Sequence, residues 1–290
     1  MHKTRFNTLS LAYTITPKSP LLIKSGGLAS DPSLPDMQFV RTFIVGKGET
    51  LYLPGTSLKG VFRGYVERVL RTKIKRGGAC DLFGNDSCGK RLENTLSSAE
   101  IYKESCRACR IFGNTNLKGR ISFNDAYPID AVKTEIRHGV AISRLTHAVA
   151  QGPFDMEVMI TGSFRSKIHV DNFELWQLGL LALAFQGLNE GLVRVGFGKN
   201  RGFGEVETKI ESIEFAFSKS LPPRELWGVG LFVDDTERER YGFTNNDKVN
   251  IEATPDHTLA EVLYERRVYK SEDWVAISSS ALASLKGVLG

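Results

Sequence analysis

Apolar and polar residues alternate along Thr8-Leu-Ser-Leu-Ala-Tyr-Thr-Ile-Thr16, which predicts a strand with one buried face. A stretch punctuated by glycine, proline and serine follows from Ser19, ending in a second strand-like run, Gln38 to Val45. The period then changes. Leu58, Val61, Phe62, Tyr65, Val66, Val69 and Leu70 recur at helical spacing, with Arg63, Arg68 and Arg71 on the other faces. Thr56 or Ser57, in Leu53-Pro-Gly-Thr-Ser-Leu-Lys-Gly60, is the expected N-cap of this helix. Its unpaired N–H groups suit a phosphate, although a plain capped amphipathic helix is an equally economical reading.

Residues 120–127 and Met156 to Phe164 read as further strands, separated by a polar, basic and weakly patterned excursion from Thr134 to Phe154. Excursions of that length are often projecting functional loops or hairpins. Asn172 to Leu188 predicts a second helix, Glu205 to Phe217 more strand, and Asp256 to Arg267 a short helix. The order strand, helix, strands, helix, strand gives the expected fold class: α+β, with a ferredoxin-like (RRM-like) β-α-β-β-α-β core carrying large insertions. The expected division is a core over residues 1–217, with insertions over about 77–112 and 131–156, and an acidic extension over 218–290.

Charge sharpens this division. The net charge of +5 conceals nine Lys/Arg against fourteen Asp/Glu from Glu211 onward, so the preceding residues are strongly basic. Arg41 to Arg76 alone holds nine cations and two carboxylates. A basic body suits a polyanionic partner. The most apolar run, Leu178 to Phe185, is too short to span a bilayer, and the first residues do not resemble a secretion signal. A cytoplasmic protein without a membrane partner is expected.

The candidate binding chemistry concentrates in Arg194-Val-Gly-Phe-Gly-Lys-Asn-Arg-Gly-Phe-Gly204, where four glycines, two phenylalanines and three cations share eleven residues. Glycine admits close backbone approach, the cations suit phosphate, and phenylalanine can anchor the loop or stack on a base. A Walker loop is excluded because Asn200 follows Lys199. A dinucleotide fingerprint is excluded because strand-like sequence, not a helix, follows the loop. A nucleic-acid strand is the expected ligand, with a simple glycine-rich turn as the alternative.

Cys80, Cys88, Cys106 and Cys109 are the only cysteines, and they fall within thirty residues. Cys106-Arg-Ala-Cys109 has the knuckle spacing that lets two thiolates grip one Zn²⁺. Four protein ligands leave no open position, so the expected metal is a structural Zn²⁺ that helps fold the insertion. Unmetallated thiols remain the alternative, and nothing specific favours His138 or His147 as a substitute ligand.

Together these segments resemble the RAMP superfamily of CRISPR-associated proteins, most closely the repeated backbone subunit of type III effector complexes. Leu53 to Gly60 with Arg63 is similar to the family's first-helix motif, and Cys109-Arg-Ile-Phe-Gly113 to the close of its zinc region. Arg137 to Phe154 resembles its projecting thumb, and Gly196 to Gly204 its glycine-rich loop. The resemblance covers roughly residues 8–217 and leaves the acidic extension unexplained.

The resemblance implies a filament of such subunits along a guide RNA, with complementary target RNA, other effector subunits and copies or paralogues of the chain as partners. It implies phosphate contacts from Ser57, Lys59, Arg63, Gly198, Lys199 and Arg201, with Arg144 on the thumb. In RNA-cutting members an aspartate before the second strand assists cleavage. Asp36 matches that position, with Asp31 as its rival, and the chemistry is attack of a 2′-hydroxyl aided by Mg²⁺ or Mn²⁺. His147 and Arg144 are secondary suspects for that step. Both aspartates also suit plain turns beside Pro32 and Pro35. The competing function is a non-catalytic guide-RNA-binding filament subunit of a type III or type IV-like complex.

Overall fold

The computed structural model describes residues 3–26, 33–46, 48–92 and 96–289. In chain order, β1 (Asn7–Pro17) leads through the short hairpin β2 (Arg41–Ile44) and β3 (Gly48–Leu51) into α1 (Gly55–Lys73). Three short helices follow, α2 (Cys88–Arg91), α3 (Ser98–Glu104) and α4 (Arg107–Phe112), then the brief strands β4 (Ile121–Phe123) and β5 (Tyr127–Pro128). A long hairpin, β6 (Lys133–Ile142) and β7 (Val149–Thr161), precedes β8 (Phe164–Asp171), α5 (Leu175–Asn189) and β9 (Val206–Phe217). The remainder holds β10 (Glu225–Trp227), α6 (Asp235–Tyr241), β11 (Lys248–Asn250), β12 (His257–Ala260), β13 (Glu265–Tyr269) and α7 (Trp274–Leu289).

The result is a mixed α+β architecture around an antiparallel sheet in the order β12-β13-β9-β1-β8-β4, with β5 also pairing β8. β1 sits between β8 and β9, pairing Leu11 with Ile168 on one side and with Ile213 on the other. Its alternating apolar residues Leu9, Leu11, Tyr13 and Ile15 are buried, as period-2 patterning requires. The helices cover that face. Phe185 of α5 packs edge-on against Tyr13 at 5.1 Å and Phe62 at 5.2 Å, and Phe62 meets Phe123 at 4.9 Å. α5 is apolar nearly all round because α1 and the sheet take one side and α7 the other.

The cysteine-bearing insertion shares this core. Ile101, Tyr102, Ala108, Ile111 and Phe112 are buried in the same apolar cluster as α1, and the Tyr102 hydroxyl donates to the buried Glu174 carboxylate at 2.7 Å.

The segment after Phe217 continues the sheet. β13 pairs β9 from Glu265 opposite Phe217 to Tyr269 opposite Ile213. The short helix expected over Asp256 to Arg267 is therefore two strands. Their backbone groups pair with each other and with β9, and Val268 and Arg267 alternate across the sheet. Arg267 is 2% exposed and donates to the carbonyls of Leu221, Pro222, Pro223 and Glu225, anchoring the Leu221-Pro-Pro turn to β13.

A second tie crosses the start of α5. Asp247 is buried there and accepts from the Leu175 N–H at 3.1 Å, one of the orphan donors of a helix N-terminus. Burial, and then the neighbouring Glu174 carboxylate, push its pKa from 3.8 up to about 7. The native state thus holds a proton that the unfolded chain releases, and this stabilising protonation is lost as pH rises through about 7. Asp247→Asn keeps a carbonyl for Leu175 while removing the charge. It is expected to raise the thermal midpoint by several degrees at pH 8 and to leave it unchanged near pH 4. Equal shifts at both pH values would show that ionisation is not the cause.

Candidate nucleic-acid interface and metal centre

Proline fixes the start of α1. Pro54 occupies the N-cap position with φ −58° and makes no side-chain cap, so Thr56 and Ser57 lie inside the first turn rather than at the cap expected of them. The Gly55 N–H donates to Asp125 Oδ1 at 2.7 Å, which places a carboxylate where a phosphate was expected. Gly55 can sit there because it has no Cβ, which would collide with the Phe123 carbonyl. Ser57 and Lys59 are half-buried. Lys59 lines a cavity of about 580 Å³ with Arg63, Lys118, Cys80 and Cys109, and burial followed by Arg63 lowers its pKa.

Arg63 turns inward to the cysteines. Its guanidinium donates to Glu67 Oε1 at 2.8 Å and the Gly113 carbonyl at 3.2 Å, and approaches Cys109 Sγ at 3.7 Å. The sulfurs of Cys80, Cys88, Cys106 and Cys109 all lie within 4.8 Å of one another, and those of Cys80 and Cys109 are 3.7 Å apart. Tetrahedral Zn²⁺ with bonds of about 2.3 Å separates its thiolates by about 3.8 Å. The donor set therefore fits a structural metal such as zinc. Cys106 Sγ accepts from the N–H groups of Cys80 and Cys109, both at 3.4 Å, and Cys88 Sγ from that of Cys106 at 3.2 Å. These bonds orient the sulfurs before a cation arrives. Hydrogen bonds to Cys106 and Cys88, together with burial, hold the Cys109 thiol far above its ordinary range. His138 and His147 lie on the β6–β7 hairpin, outside this group.

The glycine-rich loop folds back on the start of the chain. The Phe197 N–H donates to the Leu22 carbonyl at 2.7 Å and the Gly204 N–H to that of Pro20 at 2.9 Å. Gly196, Gly198, Gly202 and Gly204 all have positive φ. Two cation–aromatic contacts bind the loop to the β6–β7 hairpin: Arg201 over Phe154 at 5.4 Å, and Arg137 over Phe203 at 5.8 Å. Lys199 is exposed, and burial of its stem followed by repulsion from Arg68 on α1 lowers its pKa. Gly198, in the left-handed conformation, turns the chain immediately before Lys199. The loop therefore joins α1 to the middle of the hairpin as one cationic surface. Arg68 was not among the residues expected there, although its place on the polar face of α1 was legible.

The hairpin itself runs from Lys133 to Thr161, longer than the 131–156 expected, and its outer half is exposed. Arg144 lies in its terminal turn, far along the chain from the glycine loop's contacts at Arg137 and Phe154. Asp36 lies midway along the hairpin. Its Oδ2 accepts from the Asp155 N–H at 2.9 Å, and the Met37 N–H donates to the Asp155 carbonyl at 2.9 Å. The segment thus lies against β7 like a third strand. On the other side of β7, Asp155 Oδ1 meets His138 Nδ1 at 2.6 Å. Farther along the same face Glu157 pairs with Arg41 and accepts from the Phe39 N–H at 3.0 Å. Asp31 lies outside the described residues.

Among the described residues no helix is long and apolar enough to cross a membrane. No curated protein matches the chain significantly. The RAMP superfamily profile matches residues 14–207, a span that takes in the end of β1, all of α1, the cysteine cluster, the β6–β7 hairpin and the whole glycine loop. With two-thirds of its length under that match, the chain belongs to the RAMP superfamily of CRISPR-associated proteins.

Proposed function

We propose that the chain is a guide-RNA-binding backbone subunit of a type III CRISPR effector complex, and that it cleaves target RNA paired to the guide. The observation that carries this reading is the cationic surface on which the glycine loop joins Arg68 of α1 to Arg137 and Phe154 midway along the hairpin. Lys199 and Arg68 repel one another and Arg201 lies on Phe154, while Glu135 pairs with Arg137 at the margin; such a surface suits a phosphate backbone. Lys199, Arg201 and the Gly198 backbone are the proposed guide contacts, with Ser57 and Lys59 along α1. Arg63 serves the metal centre first, through Glu67, Gly113 and Cys109. The β6–β7 hairpin is the thumb, and Arg144 at its end reaches toward the duplex.

The strand order β9-β1-β8-β4, with α1 and α5 as its crossovers, supports a ferredoxin-like core over residues 1–217. Residues 218–290 are an extension laid on that core, and the four cysteines hold structural Zn²⁺ in the insertion. The partners are guide RNA, complementary target RNA, other effector subunits and neighbouring copies or paralogues, in the cytoplasm.

Asp36 is the proposed catalytic carboxylate; Mg²⁺ or Mn²⁺, when bound, would stabilise charge developing on the phosphate. Asp36 already accepts from Asp155 N–H, which also suits the second reading, a binding subunit in which Asp36 only docks its segment on the thumb. Asp36→Asn separates these roles, since its carbonyl oxygen can still accept that bond. In a reconstituted complex with labelled guide-complementary RNA and Mg²⁺, the variant is expected to bind target normally and cut at least about 100-fold more slowly. Unchanged cutting would remove Asp36 from the chemistry. Absence of cutting by a target-bound wild-type complex would favour the binding subunit.

A further inference from the structure

We propose that His138 is the general acid of target-RNA cleavage and that Asp155 is its positioning residue; this rests on the ribonuclease reading above. The two residues face each other across the hairpin, His138 on β6 and Asp155 on β7. Asp155 Oδ1 lies 2.6 Å from His138 Nδ1. A carboxylate on one ring nitrogen selects the tautomer that carries hydrogen there and fixes the orientation of the ring. The other nitrogen, Nε2, is left to meet a ligand, on a side chain that is 72% exposed.

The position of this pair is what distinguishes it from an ordinary surface contact. Asp155 is the central member of three adjacent segments. Its side chain holds His138, while its main-chain N–H and carbonyl hold Asp36 and Met37. The imidazole and the Asp36 carboxylate are therefore set on either side of one residue of β7. Strand alternation turns Arg137 and Phe154 to the opposite face, where they meet the glycine loop. The charged groups on the face of His138 are Asp155 directly across and Glu157 one step along β7, the latter neutralised by Arg41. The neighbours of His138 on that face of β6 are the apolar Ile136 and Val140.

Cleavage of RNA by its own 2′-hydroxyl forms a 2′-oxygen–phosphorus bond and breaks the bond from phosphorus to the 5′-oxygen. One proton leaves the 2′-hydroxyl and one must reach the departing 5′-oxygen. Asp36, the catalytic carboxylate of the reading above, takes the first. His138 Nε2–H supplies the second, and the imidazole then regains its proton from water, so that no oxidant, reductant or further reactant is consumed. The products are a 2′,3′-cyclic phosphate and a 5′-hydroxyl. Two groups on either side of one strand suit the two ends of an in-line displacement.

The test compares wild type, His138→Gln, Asp155→Asn and Asp36→Asn in reconstituted complexes, measuring single-turnover cutting of labelled target RNA across a pH series. His138→Gln is expected to lower the rate about 100-fold and to abolish the alkaline fall of the wild-type profile, with guide and target binding retained. Asp155→Asn leaves the main-chain bonds to Asp36 and Met37 intact, so it is expected to lose about tenfold, a loss that a target with a 5′-bridging sulfur should restore. A target carrying a 5′-bridging sulfur, whose thiolate leaves without a proton, is expected to restore cutting by His138→Gln but not by Asp36→Asn. Cutting by His138→Gln at the wild-type rate and with the wild-type pH profile would overturn the proposal while leaving the ribonuclease reading intact. Failure of the thio target to rescue would assign His138 a role other than acid. A wild-type complex that binds target without cutting it would overturn both.

Discussion

Replacing Cys109 with serine is expected to strip the chain of metal and to lower its stability by about 4 kcal/mol or more, which at this size corresponds to a fall of about 10 °C in thermal midpoint. Cys109 is fully buried, and its sulfur lies 3.7 Å from both Cys80 Sγ and the Arg63 guanidinium. Four thiolates around Zn²⁺ would carry a net double negative charge, which Arg63 would partly balance. Serine removes a soft ligand and leaves that guanidinium beside a neutral hydroxyl. The damage does not stop at the insertion, because Ile111 and Phe112 of α4 belong to the core shared with α1. Elemental analysis of the purified protein and melts with and without a chelator check the expectation. Wild-type protein should carry one metal per chain and melt lower in chelator, and the variant should carry none and ignore it. A wild-type melt that chelator leaves unchanged, on protein free of metal, would reduce the cluster to buried thiols. Because the ligands must lose protons to bind, metal affinity is expected to fall with falling pH.

The sequence was most informative where a single face is buried. The helical period of Leu58 to Leu70 foretold α1, and the alternation from Thr8 to Thr16 foretold β1, because both lay one side on the core and leave the other polar. The cysteine cluster was legible for a different reason: few arrangements other than shared coordination bring four spaced thiols together.

Elsewhere the local pattern was ambiguous or decided by distant residues. Phe164-Arg-Ser-Lys-Ile-His-Val-Asp171 alternates as β8 should, but the strand read from Met156 to Phe164 ran across the turn at Gly162 and absorbed its start. The β6–β7 hairpin exposes both faces over its outer half, so no buried stripe marks its strands. The cap of α1 was misplaced because its acceptor, Asp125, lies seventy residues away. Arg63 stands in a binding motif, yet only the fold reveals its bonds to Glu67 and Gly113. His138 and Asp155 become partners only through the hairpin register, which shifts beyond Gly139 and cannot be counted from the chain.

The glycine loop offers a comparison in which backbone strain and close approach can be separated. Gly202 and Gly204 have nearly the same dihedral, φ +84° and +82°, so alanine at either position carries the same left-handed penalty of about 1–2 kcal/mol. Their surroundings differ. A Cβ at Gly202 meets nothing within 4 Å, whereas one at Gly204 would be driven into the Val195 carbonyl. That carbonyl cannot swing aside as a side chain would, because Val195 and Gly204 are themselves joined, Val195 N–H to Gly204 carbonyl at 2.8 Å. Gly204 N–H also holds Pro20, so displacement would release the loop from the strand-end segment beneath it. Gly204→Ala is therefore expected to cost about 3–5 kcal/mol, the left-handed penalty plus that of overpacking. Gly202→Ala should cost only the first part. On the proposed function, guide-RNA affinity at fixed salt should fall more than tenfold for Gly204→Ala, because Lys199 and Arg201 lose the frame that holds them against Arg68 and Phe154. Gly202→Ala should bind within a few-fold of wild type. Denaturant unfolding and a binding titration on the same preparations measure both effects. Equal losses of stability would mean that the close approach to Val195 contributes nothing. Equal affinities at unequal stabilities would mean that the loop's shape is not what grips the guide.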